Sequence, residues 1–230
     1  MPKRPIFYDT ETTGISSENE RIIEIAAYDP HRELSFCRFI NPGRPIPAEA
    51  TNIHHITDEM VKDAPGFPDV IKEFTEFCEG DAVLIAHNND AFDVHFLRKE
   101  HARNGLVMPE WRFLDSLKWA RRYRPDLPRH SLQFLREIYG IASNNAHRAL
   151  DDVMVLAQVF FQMIDDLPID VVVELMARPT LMRQMPFGKH RGTSLQKLPS
   201  DYLSWLTGSG SLEKEENASL RESLLQLGLI

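Results

Sequence analysis

The stretch Pro5-Ile6-Phe7-Tyr8-Asp9-Thr10-Glu11-Thr12-Thr13-Gly14 decides the fold. Its first four residues read as a short buried strand, Pro5–Tyr8, that ends in Asp9. Residues two apart on a strand point to the same face, so Asp9 and Glu11 present paired carboxylates at one place. Hard divalent cations such as Mg2+ or Mn2+ take oxygen ligands of this kind. A strand-end turn with solvated acids would carry the same letters, so the pair needs partners elsewhere in the chain.

Working outward, Ile22–Tyr28 (IIEIAAY) and Leu34–Ile40 (LSFCRFI) read as two further strands joined by the turn Asp29-Pro30-His31. Phe67–Glu79 has helical spacing in Val70, Ile71, Phe74 and Phe77. Ala82–Ala86 (AVLIA) is another short apolar strand. Helices are predicted over Phe92–Arg103, Ser116–Tyr123, Ser131–Tyr139 and Arg148–Ile164. A hairpin-like start followed by alternating strands and helices predicts an α/β fold with a mixed β-sheet flanked by helices.

Two more constellations sit at element ends. His87-Asn88-Asn89-Asp90-Ala91-Phe92-Asp93 leaves the AVLIA strand, where an α/β protein places site residues. Asp93 there is either a ligand or an acid answering the helix dipole; Asp90 reads as a turn residue. His147-Arg148-Ala149-Leu150-Asp151-Asp152 opens a helix whose later positions, Val153, Leu156, Ala157, Phe160 and Ile164, are apolar. An acid facing a packed core is costly unless something neutralises it, and a metal would do so. Asp151 reads as a first-turn helix acid.

Around Asp165–Pro168 the pattern breaks. Ile169–Ala177 reads as one more helix, then comes the turn-rich Pro186-Phe187-Gly188-Lys189-His190-Arg191-Gly192, then Leu195–Leu206 and a last helix from Glu213. The predicted organisation is a domain over 1–166, a linker helix over 167–180 and a small C-terminal unit over 181–230. No internal repeat or low-complexity tract occurs.

Bulk properties narrow the function classes. The 230 residues are 43% hydrophobic and 26% charged, which argues against disorder. No apolar run approaches the roughly 18 residues of a membrane span. Met1-Pro2-Lys3-Arg4 is not followed by an apolar signal core. Cys37 and Cys78 lack zinc-site spacing and read as buried free thiols, which suits a reducing cytoplasm. The net charge of −8 disfavours a pure nucleic-acid-coating module, which needs a basic excess. It disfavours a metal-dependent nuclease less, because clustered carboxylates count as negative until cations load.

The three motifs resemble, in order, those of the DEDDh exonucleases, a superfamily that includes polymerase proofreading subunits, RNase T, oligoribonuclease, the three-prime repair exonucleases and exodeoxyribonuclease X. Ile53-His54-His55-Ile56-Thr57 is similar to the family's Ile/Val-His-Gly-Ile-Thr substrate-contacting stretch. The resemblance covers about residues 5–165. It implies an RNase H-like fold in which Asp9, Glu11, Asp93 and Asp152 carry two divalent ions, Mg2+ with Mn2+ as an alternative. It implies that His147 acts as general base, with Glu11 also counted as catalytic. It implies contacts to the terminal nucleotide from Thr12, Ile15, His54 and Ile56, with Ile15 and Ile56 against bases. Two departures stand out: His55 occupies a position often glycine, so a bulkier side chain is expected in the cleft. The spacing from His87 to Phe92 is one residue longer than in the proofreading subunits and similar to the three-prime repair exonucleases.

Met185-Pro-Phe-Gly-Lys-His-Arg-Gly and Leu198-Pro-Ser-Asp-Tyr-Leu-Ser-Trp205-Leu look like the small unit that follows exodeoxyribonuclease X-like nuclease domains. The segment reads either as a phosphate or DNA contact or as a mini-core closed by Tyr202, Leu203 and Trp205. Lys118, Arg121, Arg122, Arg124 and Arg129 form the densest basic run, either a solvated helix face or a phosphate contact. Trp111 and Trp119 read as core aromatics. The resemblance thus predicts a cytoplasmic 3′→5′ exonuclease acting on DNA 3′ ends in repair or degradation, with no membrane partner. An RNA-trimming enzyme of the same fold and a polymerase proofreading subunit are the alternatives; a short C-terminal region is expected to disfavour the second. The intact acids and His147 disfavour a silent binding module. Oligomeric state is left open, a homodimer among the options.

Overall fold

Three apolar runs pair into an antiparallel set, and two short ones extend it in parallel. In the computed structural model, which describes residues 3–142, 149–178 and 181–230, these are β1 (Arg4–Thr12), β2 (Ile22–Asp29), β3 (Leu34–Phe39), β4 (Ala82–Ala86) and β5 (Arg112–Asp115). The sheet order is β3-β2-β1-β4-β5, with β1 antiparallel to β2 and parallel to β4. Parallel neighbours need crossovers. The chain supplies α1 (Ala48–His54), α2 (Asp58–Val61) and α3 (Phe67–Phe77) before β4, and α4 (Asp93–Arg103) before β5. After β5 come α5 (Ser116–Tyr123), α6 (Leu132–Ile138), α7 (Ala149–Ile164) and α8 (Ile169–Ala177).

The central strand β1 is covered on both faces, as a strand in an α/β sheet must be. Ile6 and Tyr8 join Ile25, Phe74, Leu84 and Leu97 in one core cluster. Phe7, on the other face, meets Phe160 and Phe161 of α7 edge-on at 5.6 and 5.4 Å between ring centroids. Helix α7 therefore lies across β1 and β2, and α6 packs on α7 through Leu135, Val155 and Val159.

The predicted strands and helices are largely present, with instructive shifts. β1 runs on past Tyr8, so Asp9 and Glu11 stand within a paired strand; its register slips between Glu11 and Thr12. Helices α1 and α2 and strand β5 had not been anticipated. Strand β5 is four residues long, too short to carry a period, and its existence depends on β4 as a neighbour. His55 caps α1 in the left-handed region at φ 62°. That conformation costs a non-glycine residue about 1 kcal/mol, so a glycine here would supply backbone freedom. The His55 side chain is exposed. Both cysteines are free. Cys78 is buried, and burial pushes its thiol up to about 12. Cys37 departs from expectation: it is only half-buried, because it lies on β3 opposite Ala26, with its Sγ donating to Glu24 Oε1 at 3.3 Å. Trp119 is buried and Trp111 packs against the main core, as core aromatics.

The chain divides within α8 into two compact units, Met1–Val173 and Glu174–Ile230. The second holds α9 (Ser200–Gly208) and α10 (Ala218–Gln226) around Met185, Leu195, Leu198, Tyr202, Leu206, Leu212, Leu220 and Leu224. The last helix starts at Ala218 instead of Glu213, because Lys214 is extended at φ −71°, ψ 136°. Tyr202 and Leu206 close this mini-core, and Leu203 packs partly against it. Trp205 does not join it: one residue before Leu206, it is turned about 100° around the helix from that core position, lies at the rim beside Tyr202 and is 57% exposed. Among the described residues no helix is long and apolar enough to cross a membrane.

Candidate active site

Asp93 is the first residue of α4, and Thr10 of β1 donates a hydrogen bond to its Oδ1 at 2.8 Å. Only 2% of Asp93 is exposed. Burial pushes its carboxyl up to about 7, the Thr10 bonds oppose this, and Asp115 adds to it. Asp9 is held well above the usual carboxylate range, first by burial and then by Asp93, Glu11, Asp152 and Glu24. Glu11 is pushed up to about 8 by burial and by Glu24, Asp152 and Asp93. Acids from β1, α4 and α7, far apart in sequence, thus stand within electrostatic reach of one another.

Glu24 is a fifth member that sequence reasoning missed. It pairs across the strands with Glu11 and is 1% exposed. Its signal was visible: one charged letter inside the apolar IIEIAAY run. Gln133 of α6 was also missed; its Nε2 donates to Asp152 Oδ1 at 3.3 Å. Nothing in the sequence links the two helices at that point.

The loop after β4 is fixed from β5. Asp115 Oδ1 accepts from the backbone N–H of Asn88, Leu117 and Lys118 at 3.1, 2.8 and 3.2 Å, and its Oδ2 accepts from Asp90 N–H at 3.1 Å. One buried carboxylate therefore caps α5 and pins the turn that leads to Asp93. Asn88 takes the left-handed backbone, φ 70°, which asparagine tolerates. Tyr8 Oη donates to Asn89 Oδ1 beneath the same turn. The His87 Nε2 donates to the His130 carbonyl and its Nδ1 accepts from Ser116 Oγ, both at 2.8 Å. Burial lowers its pKa, so His87 is a neutral clamp. Asp90 is a turn residue, paired with Lys118 at 2.5 Å. Of the basic run, Lys118 is thus engaged, Arg124 binds Asp126 and Tyr139, and Arg129 lies over Phe134.

The predicted substrate residues divide. Ile15 is 90% exposed, and Thr12 is buried with its Oγ1 donating to the Gly14 carbonyl at 2.7 Å. His54, the last residue of α1, is buried; its Nδ1 accepts from Ile56 N–H at 3.0 Å. The neutral ring then carries its proton on Nε2, a buried donor without a hydrogen-bond partner among the described residues. Ile56 is corrected: it is fully buried with Ile23, Ile46, Ala50 and Val61 and offers no surface to a base. His147 lies outside the described residues.

Compared with known proteins, residues 6–160 match the family model described as "Exonuclease". The chain belongs to the exonuclease family. Residues 176–215 match a second model, described as "Putative quorum-sensing-regulated virulence factor". DNA polymerase III PolC-type of Streptococcus sanguinis (strain SK36) is 38% identical over 164 residues, covering 70% of this chain and 11% of that protein. The chain thus spans about a tenth of the length of the curated relatives it matches. Exonuclease X in complex with 5′ overhanging duplex DNA superimposes with a TM-score of 0.57 at 27% identity, over 70% of this chain and 91% of that one. The nuclease domain of 3′hExo, a DEDDh family member bound to rAMP, gives 0.61 at 19% identity over 72% and 93%. The fold is accordingly RNase H-like, as the sequence implied.

The exonuclease fold implies divalent metal ions, and the donor chemistry here fits them. Every nearby acid is an oxygen donor, and crowded buried carboxylates raise one another's pKa until a cation relieves them. Among the described residues no group of three or more His, Cys, Asp or Glu is gathered closely enough to hold an ion alone. Mg2+ is commonly bound by one or two carboxylates, with waters and substrate phosphate completing its shell.

A stability test follows from the raised carboxyls of this exonuclease. Glu11 unfolded titrates near its ordinary 4.5, and folded near about 8. Between those values the folded chain holds a proton that the unfolded chain has lost, so stability falls as pH rises through the window. Melting temperature in EDTA should therefore decline from about pH 4.5 to about pH 8, and Mg2+ should restore it most at the upper end. A flat profile in chelator would mean that the acids do not crowd one another.

Proposed function

We propose that this chain is a two-metal 3′→5′ exodeoxyribonuclease that releases nucleoside monophosphates from DNA 3′ ends, serving repair or degradation in the cytoplasm. What supports this is that the charges of Asp9, Glu11, Asp93 and Asp152, from β1, α4 and α7, act on one another within an exonuclease-family domain. Those four acids would hold Mg2+, with Mn2+ as the substitute. Bound there, the ions would lower the pKa of attacking water and stabilise the departing oxygen.

The protein's own groups do the rest. His147 takes the proton from water as its oxygen bonds to the terminal phosphorus. The bond from phosphorus to the 3′ oxygen of the preceding nucleotide breaks, leaving a 5′-monophosphate and a 3′ oxygen that takes a proton from solvent to become the new 3′ hydroxyl, while His147 returns its proton to solvent. Thr10 orients Asp93, Gln133 steadies Asp152, and Asp115 fixes the loop between β4 and α4. His54 Nε2, a buried donor in need of an acceptor, and the exposed Ile15 are suited to the terminal nucleotide. In domain terms, the exonuclease domain is 1–166, residues 167–180 a linker that contains α8, and 181–230 a small C-terminal unit.

DNA as substrate is supported by exonuclease X, seen with duplex DNA, and by the PolC-type polymerases. The rAMP bound to 3′hExo favours RNA as the second reading, and the polymerase relatives favour proofreading as the third. A gel with 5′-labelled single-stranded DNA, duplex DNA and RNA of one sequence, in Mg2+ and in Mn2+, separates them. The expected result is a ladder shortening from the 3′ end on DNA, with RNA slower. Faster loss of RNA would replace the DNA assignment by an exoribonuclease.

A further inference from the structure

The second unit carries an exposed aromatic surface that its own core does not use. On α9, Tyr202 and Leu206 lie one turn apart and point into the mini-core. Asp201 and Trp205 lie one turn apart on another face, and Trp205 is 57% exposed. A large exposed aromatic beside polar groups is informative, because folding alone would bury it. Its ring stacks on Tyr202, with centroids 5.5 Å apart and planes 22° from parallel. Tyr202 is held in turn by His190 at 4.4 Å between ring centroids and by Lys189, whose Nζ lies 5.5 Å from the ring centre. Phe187, Gly188, Lys189, Asp201, Tyr202 and Trp205 line a pocket of about 460 Å³. Gly188 permits this closeness: its φ is +68°, and a Cβ there would stand 3.2 Å from Tyr202 Oη.

Charge identifies the occupant. The whole chain is at −8, yet residues 183–200 carry four Lys or Arg and no Asp or Glu. A polyanion would find the longest acid-free stretch of the chain beside this pocket. We propose that the pocket takes a nucleobase of single-stranded DNA, a second contact separate from the site of hydrolysis. The base stacks on Trp205, as bases do on exposed aromatics in strand-binding proteins. The Asp201 carboxylate, an acceptor only, takes a hydrogen bond from a ring or exocyclic N–H at the base edge. Lys189, beside the rings, and the neighbouring Arg191 answer the phosphates on either side. A purely phosphate-binding pocket would not place a carboxylate in its lining; a base pocket has a use for one. The choice of DNA rests on the function proposed above, but the binding measured below does not require cleavage.

The test uses the full chain in EDTA with a labelled single-stranded DNA of about 12 nucleotides, within the span of known strand-binding sites. Adding DNA should quench tryptophan emission, since of the three tryptophans Trp205 is exposed, Trp119 is buried and Trp111 is half-buried against the main core. Trp205→Ala should abolish the quench and weaken binding by about tenfold, the size of one lost stacking contact. Trp205→Phe keeps a ring and should retain affinity by anisotropy while losing the quench. Lys189→Ala should lessen the dependence of affinity on salt. Unchanged affinity in a folded Trp205→Ala chain overturns the proposal. So does quenching by a proline-rich peptide or by RNA of the same sequence but not by DNA. A chain that cleaves DNA yet shows no Trp205 quench defeats this proposal alone. A chain that shows the quench and cleaves nothing defeats the exonuclease assignment alone.

Discussion

Asp9→Ala is expected to reduce exonucleolytic turnover by about a thousandfold or more, and Asp152→Ala to do the same. Metal stabilisation of transition-state charge supplies several kcal/mol, and each 1.4 kcal/mol is about tenfold in rate. Misfolding can be told apart, because in chelator Asp9 is a half-buried acid whose carboxyl is also raised by Asp93, Glu11, Asp152 and Glu24. Removing it relieves repulsion, so the metal-free variant should melt no lower than the parent in EDTA at neutral pH. Activity and stability then move in opposite senses, which general damage cannot produce. EDTA should silence the parent, and Mg2+ should restore it. Turnover in excess chelator close to the untreated rate would end the two-metal proposal.

His147→Ala carries the second large effect, a loss of about two to four decades of rate, the usual contribution of a positioned general base. The position argues for the role: His147 precedes the first residue of α7 by two positions, and Asp152 follows within that helix's first turn. The variant should fold, melt with the parent and show the same Mg2+-dependent rise in melting temperature, because His147 is not among the proposed ligands. It should also lose the limb of the pH–rate profile that reports the base. A loss of only two- or threefold would assign water activation to another group.

Much of the first unit is legible in the sequence, for a local reason. Ala82–Ala86, Ser116–Tyr123 and Ile169–Ala177 stand where short-range apolar patterning places them. The pairing of Asp9 with Glu11 follows from strand geometry alone, and three ordered motifs suffice to name the family. Each of these features depends on residues within one element or on their order along the chain.

What the tertiary structure alone decided depends on residues distant in sequence. Glu24 joins the acids because the β1–β2 register sets it opposite Glu11. Asp115 looks like an ordinary helix cap until β5 aligns beside β4 and hands its second oxygen to the loop before Asp93. Ile56 reads as a base contact by motif, yet packing around Ile23 and Val61 buries it and leaves His54 Nε2 as the donor in need of a partner. Trp205 reads in one alternative as closing the mini-core with Tyr202 and Leu203, yet Tyr202 and Leu206 occupy that core and leave it outside. The sequence by itself determined most of the longer elements and the family they compose, but not α1, α2 or β5. Only the three-dimensional packing decided which side chains face one another, because burial and charge are set by neighbours that no local pattern encodes.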